Sequence, residues 1–589
     1  MKPELLAPVG SPASLRAAVE AGADSVYMGS IWNARVRARN FSQDELARAI
    51  SYCHNNGVLA YITLNTLIFE KEMPLVADYI KFVYESGADA LIVQDLGVAK
   101  MAQEIAPDLP LHSSTQLSVH NSKTAKLYKK FGFSRLILAR EVSLEQAAAI
   151  RKNSGAEVET FCHGALCYSY SGKCFFSLVQ TRRSANRGAC AQICRFPWKV
   201  YKDGKYLKSG YLTSTKDLNT LVRIPEIAKA GIACVKIEGR LKDAVYVKGI
   251  VSAYRMAIDG GDSADLSSLT SRSYTEGYLF NAPRKEPLTN PSAPSFSGIL
   301  LGKVDRADSK GAHIKLSAPI TVGDSIRSSS SGKIIEVFRV YRKGKEVQSS
   351  DDECNLLIKT IRPGDTLYKV PRAQIEDDFL AKIAPLAKKK AHAYAYVSKK
   401  LDFAPLPPLS YLSDGEQLQR DRKGAFVVRL EYVDSDLSDD ATRLVIDTPR
   451  VAFDSELPAL EKKMRGIAEQ HPLAFMVSEP SLVSDYPSIL SPYANVTNTL
   501  AARQWQQFGN IRGAIPSLEI SQAEAESAAL GFATYKNYPL ELMISENDLF
   551  FELGVDAEDG KYELADPNGN RFEIARSGGR TIILKGMQP

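Results

Sequence analysis

The stretch "ELLAPVGSPASLRAAVEAGADSVYMG", residues 4–29, sets the pattern of the first half of the chain. An apolar run (ELLAPV) gives way to an amphipathic stretch (SPASLRAAVEAGA) containing Gly22, a C-cap signal. A second apolar run (SVYMG) follows. The alternation continues downstream. "LAYITLN", "ALIVQD", "LPLHSST", "RLILAR", "VETFCHG" and "CVKIEGR" read as further strands, with helices such as "QDELARAISYCHNNG" and "MPLVADYIKFVYESGA" between them. Eight strands with helical crossovers over about 250 residues fit an α/β fold of the (β/α)8, TIM-like barrel type. A doubly wound open sheet would alternate in a similar way.

In a barrel, chemistry sits where the strands end. Those ends carry Asn65, Gln94, Asp95, Ser113, Ser114, Gln116, Arg140, Glu141, His163, Glu238 and Arg240, a polar pocket in outline. In "CVKIEGR", Lys236 and Glu238 share strand parity and Arg240 follows. His163 could serve as an acid, a base or a hydrogen-bond donor, or could simply cap its strand. One long segment, 163–215, interrupts the alternation between the seventh and eighth strands. An excursion of that length usually carries function.

That segment holds four of the eight cysteines, Cys167, Cys174, Cys190 and Cys194, in the spacing C-x6-C-x15-C-x3-C. Zinc fingers and ribbons present two tight pairs, and here only the last two cysteines are close. An iron–sulfur cluster accepts ligands from more widely separated positions, so the spacing leaves both metals open. Tyr168, Tyr170, Phe175, Phe176, Ile193, Phe196 and Trp198 could shield such a centre. Arg182, Arg183, Arg187 and Arg195 bracket the third and fourth thiols, where guanidinium groups would stabilise thiolates or bind carboxylates and phosphates. Cys53, Cys234 and Cys354 read as small buried hydrophobes, and Cys162 as core or as a reserve ligand.

A chain of 589 residues, 44% hydrophobic and 24% charged, implies two to four globular domains. The net charge of +6 permits nucleic-acid binding without demanding it. The opening "MKPELLAPVGSPASL" lacks the features of a signal peptide, and no run of about 18 apolar residues would span a membrane. These features point to a cytoplasmic protein, where clustered cysteines mean metal or redox chemistry more often than disulfides.

The domain reading places the barrel in 1–282 with its cysteine-rich insertion at 163–215. A Pro-rich linker (PRKEPLTNPSAPSF) leads to a small all-β barrel at 295–370. Residues 371–424 form a helical, lysine-rich and then Pro-rich connection, its lysines either a solvated helix face or an RNA-facing patch. Residues 425–589 read as α/β again. "VHNSKTAKLYKKFGFSRLILAREVSLEQA" from Val119 and "VTNTLAARQWQQFGNIRGAIPSLEISQA" from Val496 share Val, Asn, Phe and Gly at equal spacing, and SLE after a three-residue deletion. The second half reads as a diverged copy lacking the cysteines, with "YPLELMISENDLF" opposite "AEVETFCHGALC".

"HGALCYSYSGKCFFS…NRGACAQICR", "VKIEGR", the opening stretch, "NARVRARNFSQDEL" and "YITLNTLIF" together resemble the collagenase-like peptidase family U32. The later half resembles the longer members, the branch that forms 5-hydroxycytidine in rRNA; a shorter branch hydroxylates tRNA uridine. The resemblance implies O2-independent hydroxylation at pyrimidine C5 in RNA (rRNA or tRNA), a 4Fe–4S cluster on Cys167, Cys174, Cys190 and Cys194, and use of prephenate. His163, Glu238 and Arg240 are then the candidate catalytic residues. Arg182, Arg187, Arg195 and Lys236 are candidates for binding substrate, including a small dicarboxylate. Peptidase activity is the competing reading, although neither an H-E-x-x-H helix nor a G-x-S-x-G elbow is present. A non-catalytic, ribosome-associated iron–sulfur protein is a third, and a dicarboxylate bound among the strand ends would argue against it.

Overall fold

The computed structural model describes residues 2–585 except 37, 262–265, 267–272, 281–285, 293–298, 309–310, 329–333, 359–360, 371–378, 387–388, 400, 402, 404–408, 412–424, 434–443, 471–473, 528–534 and 537–539. Large parts of both Pro-rich linkers lie outside the described residues.

The opening stretch forms β1 (Glu4–Pro8), α1 (Pro12–Glu20) and β2 (Ser25–Met28). Ser11 and Ser14 make a reciprocal capping box and Pro12 opens the helix, so the chain leaves the strand and enters the helix within a few residues. The unit repeats through β3 (Leu59–Leu64), β4 (Ala90–Val93), β5 (Leu111–Ser113), β6 (Arg135–Ile137), β7 (Glu157–Ala165) and β8 (Cys234–Ile237). All eight pair in parallel in chain order, and β8 pairs with both β7 and β1. The sheet is a closed eight-stranded barrel, not an open one. Its strands are buried on both faces. Leu6, Tyr27, Tyr61, Ile92, Ile137 and Phe161 fill the inside, while Leu5, Val26 and Leu64 pack under the helices.

The barrel's interior also carries charge. At its N-terminal end Arg135 bridges Glu4 (2.8 Å) and Glu157 (3.1 Å); one layer up, the fully buried Glu159 holds the Lys236 ammonium at 2.9 Å. The column leads to Glu238 at the C-terminal mouth.

The insertion leaves the barrel after β7. Its hairpin, Trp198–Lys202 and Lys205–Gly210, joins four strands from the far end of the chain (Leu540–Ser545, Tyr562–Ala565, Arg571–Ser577 and Arg580–Lys585) in a six-stranded antiparallel sheet. The strand Leu540–Ser545, which the sequence placed opposite β7, therefore belongs to this antiparallel sheet instead. Residues 299–370 form an eight-stranded antiparallel sheet around a core of their own. No pairing among the described residues joins its two edges into a barrel.

The lysine-rich stretch 381–400 is not the expected α-helix. A 3-10 turn ends at Lys382, and the described residues 389–399 form no helix but run across the helices of the barrel, with His392 N–H on the Ile105 carbonyl and the Tyr396 hydroxyl on Glu70. The alternation in "AHAYAYV" explains this, since Tyr394 and Tyr396 are half-buried and Ala393 and Ala395 are exposed, a period of two.

The second half begins earlier than residue 425. A seven-stranded parallel sheet includes Leu409–Tyr411 and Tyr535–Lys536 beside the strands between 425 and 514. It meets the barrel through paired contacts related by position. Asn121 caps the helix Ser122–Phe131 and donates to the Ala452 carbonyl and Glu479; Asn498 caps the helix Thr499–Gln506 and donates to the Ile68 carbonyl and Asp95. Ser122 N–H meets Asp454 and Thr499 N–H meets Glu70, each at 2.8 Å. Ile68, Glu70 and Asp95 each precede Ala452, Asp454 and Glu479 by the same interval. The interface is a two-fold exchange of the same contacts.

Candidate active site

The four insertion cysteines come together at the C-terminal mouth of the barrel. Cys167, Cys174, Cys190 and Cys194 line one cavity, joined there by Arg35, Arg140, Arg195, Lys236, Glu238 and Arg240. All four are free thiols, partly exposed. Two close approaches shape the walls. Gly172 has φ +77° and a Cβ there would lie 2.0 Å from the Gln116 carbonyl oxygen; Gly188 has φ +78° and a Cβ would lie 2.1 Å from that of Asn33. Only glycine lets these loops cross so closely.

Burial pushes three of these thiols up, Cys174, Cys167 despite Arg140, and Cys194 to about 12 against the pull of Arg195. Those three need a bound cation in place of the proton to become thiolates. Among the described residues no three His, Cys, Asp or Glu side chains gather closely enough to hold a single metal ion.

Glu238 is the carboxylate of the cavity. Arg140 and Arg35 donate to its Oε2 at 3.1 and 3.2 Å. Burial pushes its carboxyl up, but the two guanidinium groups outweigh that and hold it below the usual range. Arg140 also lies 4.1 Å over the Phe161 ring and donates to Ser171 at 2.7 Å. Lys236 keeps its bond to Glu159 and lies 4.3 Å from the Tyr27 ring centre. Arg240 is bound by Asn33, Asn40 and Thr63, and burial pulls it down to about 10. The lining carries more positive than negative charge and suits an anion with two or more carboxylate oxygens.

Other expected site residues lie elsewhere. His163 does not line the cavity. The pairing of β7 with β8 slips by one residue, Phe161 opposite Lys236 but His163 opposite Ile237. Cys162 is left in the outer core and His163 among Tyr246, Tyr254 and Tyr274. Burial pulls His163 down to about 3, so it is neutral there. Strand parity alone would have carried it inward; the bulge turned it out. Arg182 is exposed in a left-handed turn. Arg187 grips Glu72 through both terminal nitrogens and stacks on Phe69, beside the cavity and not in it. Arg195 lines the cavity, but its guanidinium donates to Ser214, Thr215 and the Leu166 carbonyl, bracing the insertion.

Arg35 was missed as a site residue. Its only signal is "NARVRARNF", an arginine-rich loop after β2. Arg140 was visible as a strand end but received no role.

A closed α/β barrel whose mouth combines four thiols with a cationic lining defines the class of protein. The chain belongs to peptidase family U32. The model of that family matches residues 10–288. The chain is 35% identical over 400 residues to an uncharacterised protease of Methanocaldococcus jannaschii, covering 62% of this chain and 97% of that one. It is 36% identical over 343 residues to the 23S rRNA 5-hydroxycytidine synthase of Escherichia coli, covering 55% of this chain, and so spans about half (52%) of that relative's length. It is 36% identical over 267 residues to a tRNA hydroxylation protein of Bacillus subtilis, covering 44% of this chain and 63% of that one. A solved U32 peptidase superposes with a TM-score of 0.26 at 15% identity, over 28% of this chain and 70% of that one. Among the described residues no helix is long and apolar enough to cross a membrane.

Proposed function

We propose that this chain is an O2-independent hydroxylase of pyrimidine C5 in RNA, rRNA or tRNA, that holds a 4Fe–4S cluster and takes its oxygen from a prephenate-like dicarboxylate. The observation that carries the reading is the convergence of Cys167, Cys174, Cys190 and Cys194 on one cavity lined by Arg35, Arg140, Lys236 and Arg240. The donor set fits the cluster. Tetrahedral zinc needs sulfurs roughly 3.8 Å apart, and the looser thiols here suit a larger iron–sulfur centre. Bound to the four cysteines, it would supply one-electron redox chemistry at the mouth of the barrel.

The chain's own residues do the rest. Arg35 and Arg140 orient Glu238 and offer further N–H groups to a carboxylate, as planar guanidinium groups do best. Lys236, anchored by Glu159, places an ammonium at the cavity floor. Tyr27 and Phe161 line the cavity and back the Lys236 and Arg140 cations that lie over their rings. Relatives named for rRNA and tRNA hydroxylation support this reading.

The competing peptidase reading draws on relatives named collagenase and protease. The chain has two adjacent cysteine–histidine pairs, Cys53–His54 and Cys162–His163; both cysteines are buried in the outer core and neither pair lines the cavity, which gives that reading no dyad there.

Nucleoside mass spectrometry on rRNA and tRNA from a strain lacking the gene is the test. Loss of one 5-hydroxypyrimidine, restored by the wild-type gene and not by an Arg140→Ala variant, is expected. An unchanged nucleoside profile would overturn the proposal.

A further inference from the structure

We infer that the second half of the chain is the mould for the thiol loop, and that Asn495 and Lys173 are positioning residues which set Cys167 and Cys174. The inference rests on the cavity described above and deepens it. Between these two cysteines nearly every residue is tied to the second half. Ser545 donates to the Tyr168 carbonyl, Ser169 Oγ and the Tyr170 N–H donate to the Ile544 carbonyl, and the Tyr170 hydroxyl donates to Glu546. Asn495 Nδ2 donates to the Gly172 carbonyl at 2.7 Å and Arg450 to the Lys173 carbonyl at 2.8 Å. Lys173 Nζ reaches the Ser478 carbonyl at 3.0 Å, and Phe175 N–H reaches the Leu542 carbonyl at 2.8 Å. Among the described residues, the same stretch receives from the barrel one such side-chain bond, Arg140 to Ser171.

The tether is built, not incidental. Lys173 is a buried lysine, 6% exposed. A lysine is withdrawn from water only where its ammonium has a partner. It enters a small cavity between the halves beside Gln94, whose side-chain oxygen and nitrogen are both buried without partners. Gln116 lines this cavity and the thiol cavity alike, so the two are adjacent. Asn495 holds φ +59°, a left-handed conformation that asparagine tolerates better than most residues, and this aims its amide at the loop.

The test uses the full-length protein and reads the thiols directly. Asn495→Asp keeps shape and backbone while replacing the donor with a carboxylate facing a carbonyl. Lys173→Met keeps the stem and removes the ammonium. Lys123→Ala, which breaks an exposed ion pair across the same interface, is the control. In metal-free protein, alkylation of each cysteine by iodoacetamide is followed by mass spectrometry. Loss of a buried hydrogen bond should speed modification of Cys167 and Cys174 by about tenfold in the two loop variants. Cys190 and the control should keep wild-type rates.

Anaerobic iron and sulfide content and the electron paramagnetic resonance of the reduced protein give the second readout, with an altered signal expected at unchanged iron content. Wild-type alkylation rates and signal in both folded loop variants would overturn the inference. Wild-type protein without iron or sulfide would instead overturn the cluster reading, and the alkylation rates would still decide the mould.

Discussion

Glu141 follows Arg140 at the end of the sixth strand, is 5% exposed, and neither of its carboxylate oxygens has a hydrogen-bond partner. Burial pushes its carboxyl from the ordinary 4.5 to about 8. In the unfolded chain the group loses its proton above about 4.5, and in the folded chain only above about 8. Between those values the folded state binds more protons, so stability falls as pH rises across that window. At about 1.4 kcal/mol for each pH unit, the buried acid costs roughly 3 kcal/mol at pH 7.

Glu141→Gln keeps the shape and removes the proton equilibrium. The variant should match wild type near pH 4.5 and exceed it by about 3 kcal/mol at pH 7. Urea unfolding of the transition that reports the barrel, run from pH 4.5 to 8 on both proteins, measures the difference. Parallel pH curves would refute the reasoning, because they would mean that the carboxyl finds a partner or water on folding.

Replacing any of Cys167, Cys174, Cys190 or Cys194 by Ser should abolish visible absorbance in anaerobically purified protein, while Cys53→Ser and Cys354→Ser should leave it; stoichiometric zinc with no absorbance would remove the cluster. Glu238→Gln should abolish RNA modification with the absorbance retained, and normal nucleoside profiles would take Glu238 out of the site. His163→Gln should lower stability by about 1–2 kcal/mol yet leave modification in place, whereas loss of modification in a folded variant would return His163 to the chemistry. A chain ending near residue 400 should lose absorbance as well as activity, since it lacks the mould for the thiol loop and four strands of the sheet that holds the insertion; a stable truncated protein with wild-type absorbance would show that the barrel alone suffices.

The barrel was legible because its strands repeat one local pattern, and continuous apolar runs such as "ALIVQD" can only be strands buried on both faces. Closure was not legible. It depends on β8 pairing back to β1, a contact between residues more than two hundred apart with no local signal. The cysteines were legible as a set because residue type limits what thiols in one loop can do. The arginines were not. Arg195 and Arg187 stand nearest the cysteines in sequence, yet one braces the loop and the other grips Glu72, while Arg35 arrives from the other side of the barrel. A guanidinium reaches far enough that sequence proximity to a site says little about which carbonyl or carboxylate it will take. His163 was misplaced by one inserted residue, an event that leaves strand hydrophobicity unchanged and reverses the side chain.

The recurrence between residues 119 and 496 has consequences that similarity alone does not convey. Among the residues shared by the two stretches, the asparagines and the phenylalanines meet the opposite half. Asn121 and Asn498 each cap their own helix and reach across to the opposite half. Where the two halves differ, the second serves the first. Ser478 stands at the position of Gln94 and offers its carbonyl to Lys173, and Asn495 stands at the position of Ser118 and holds Gly172. The interface keeps the halves in register, and the altered positions turn that register into contacts with the thiol loop. Packing alone would require only that the second half be docked. Contacts on both sides of a cysteine loop require that it be docked accurately, and the paired, buried asparagines supply that accuracy.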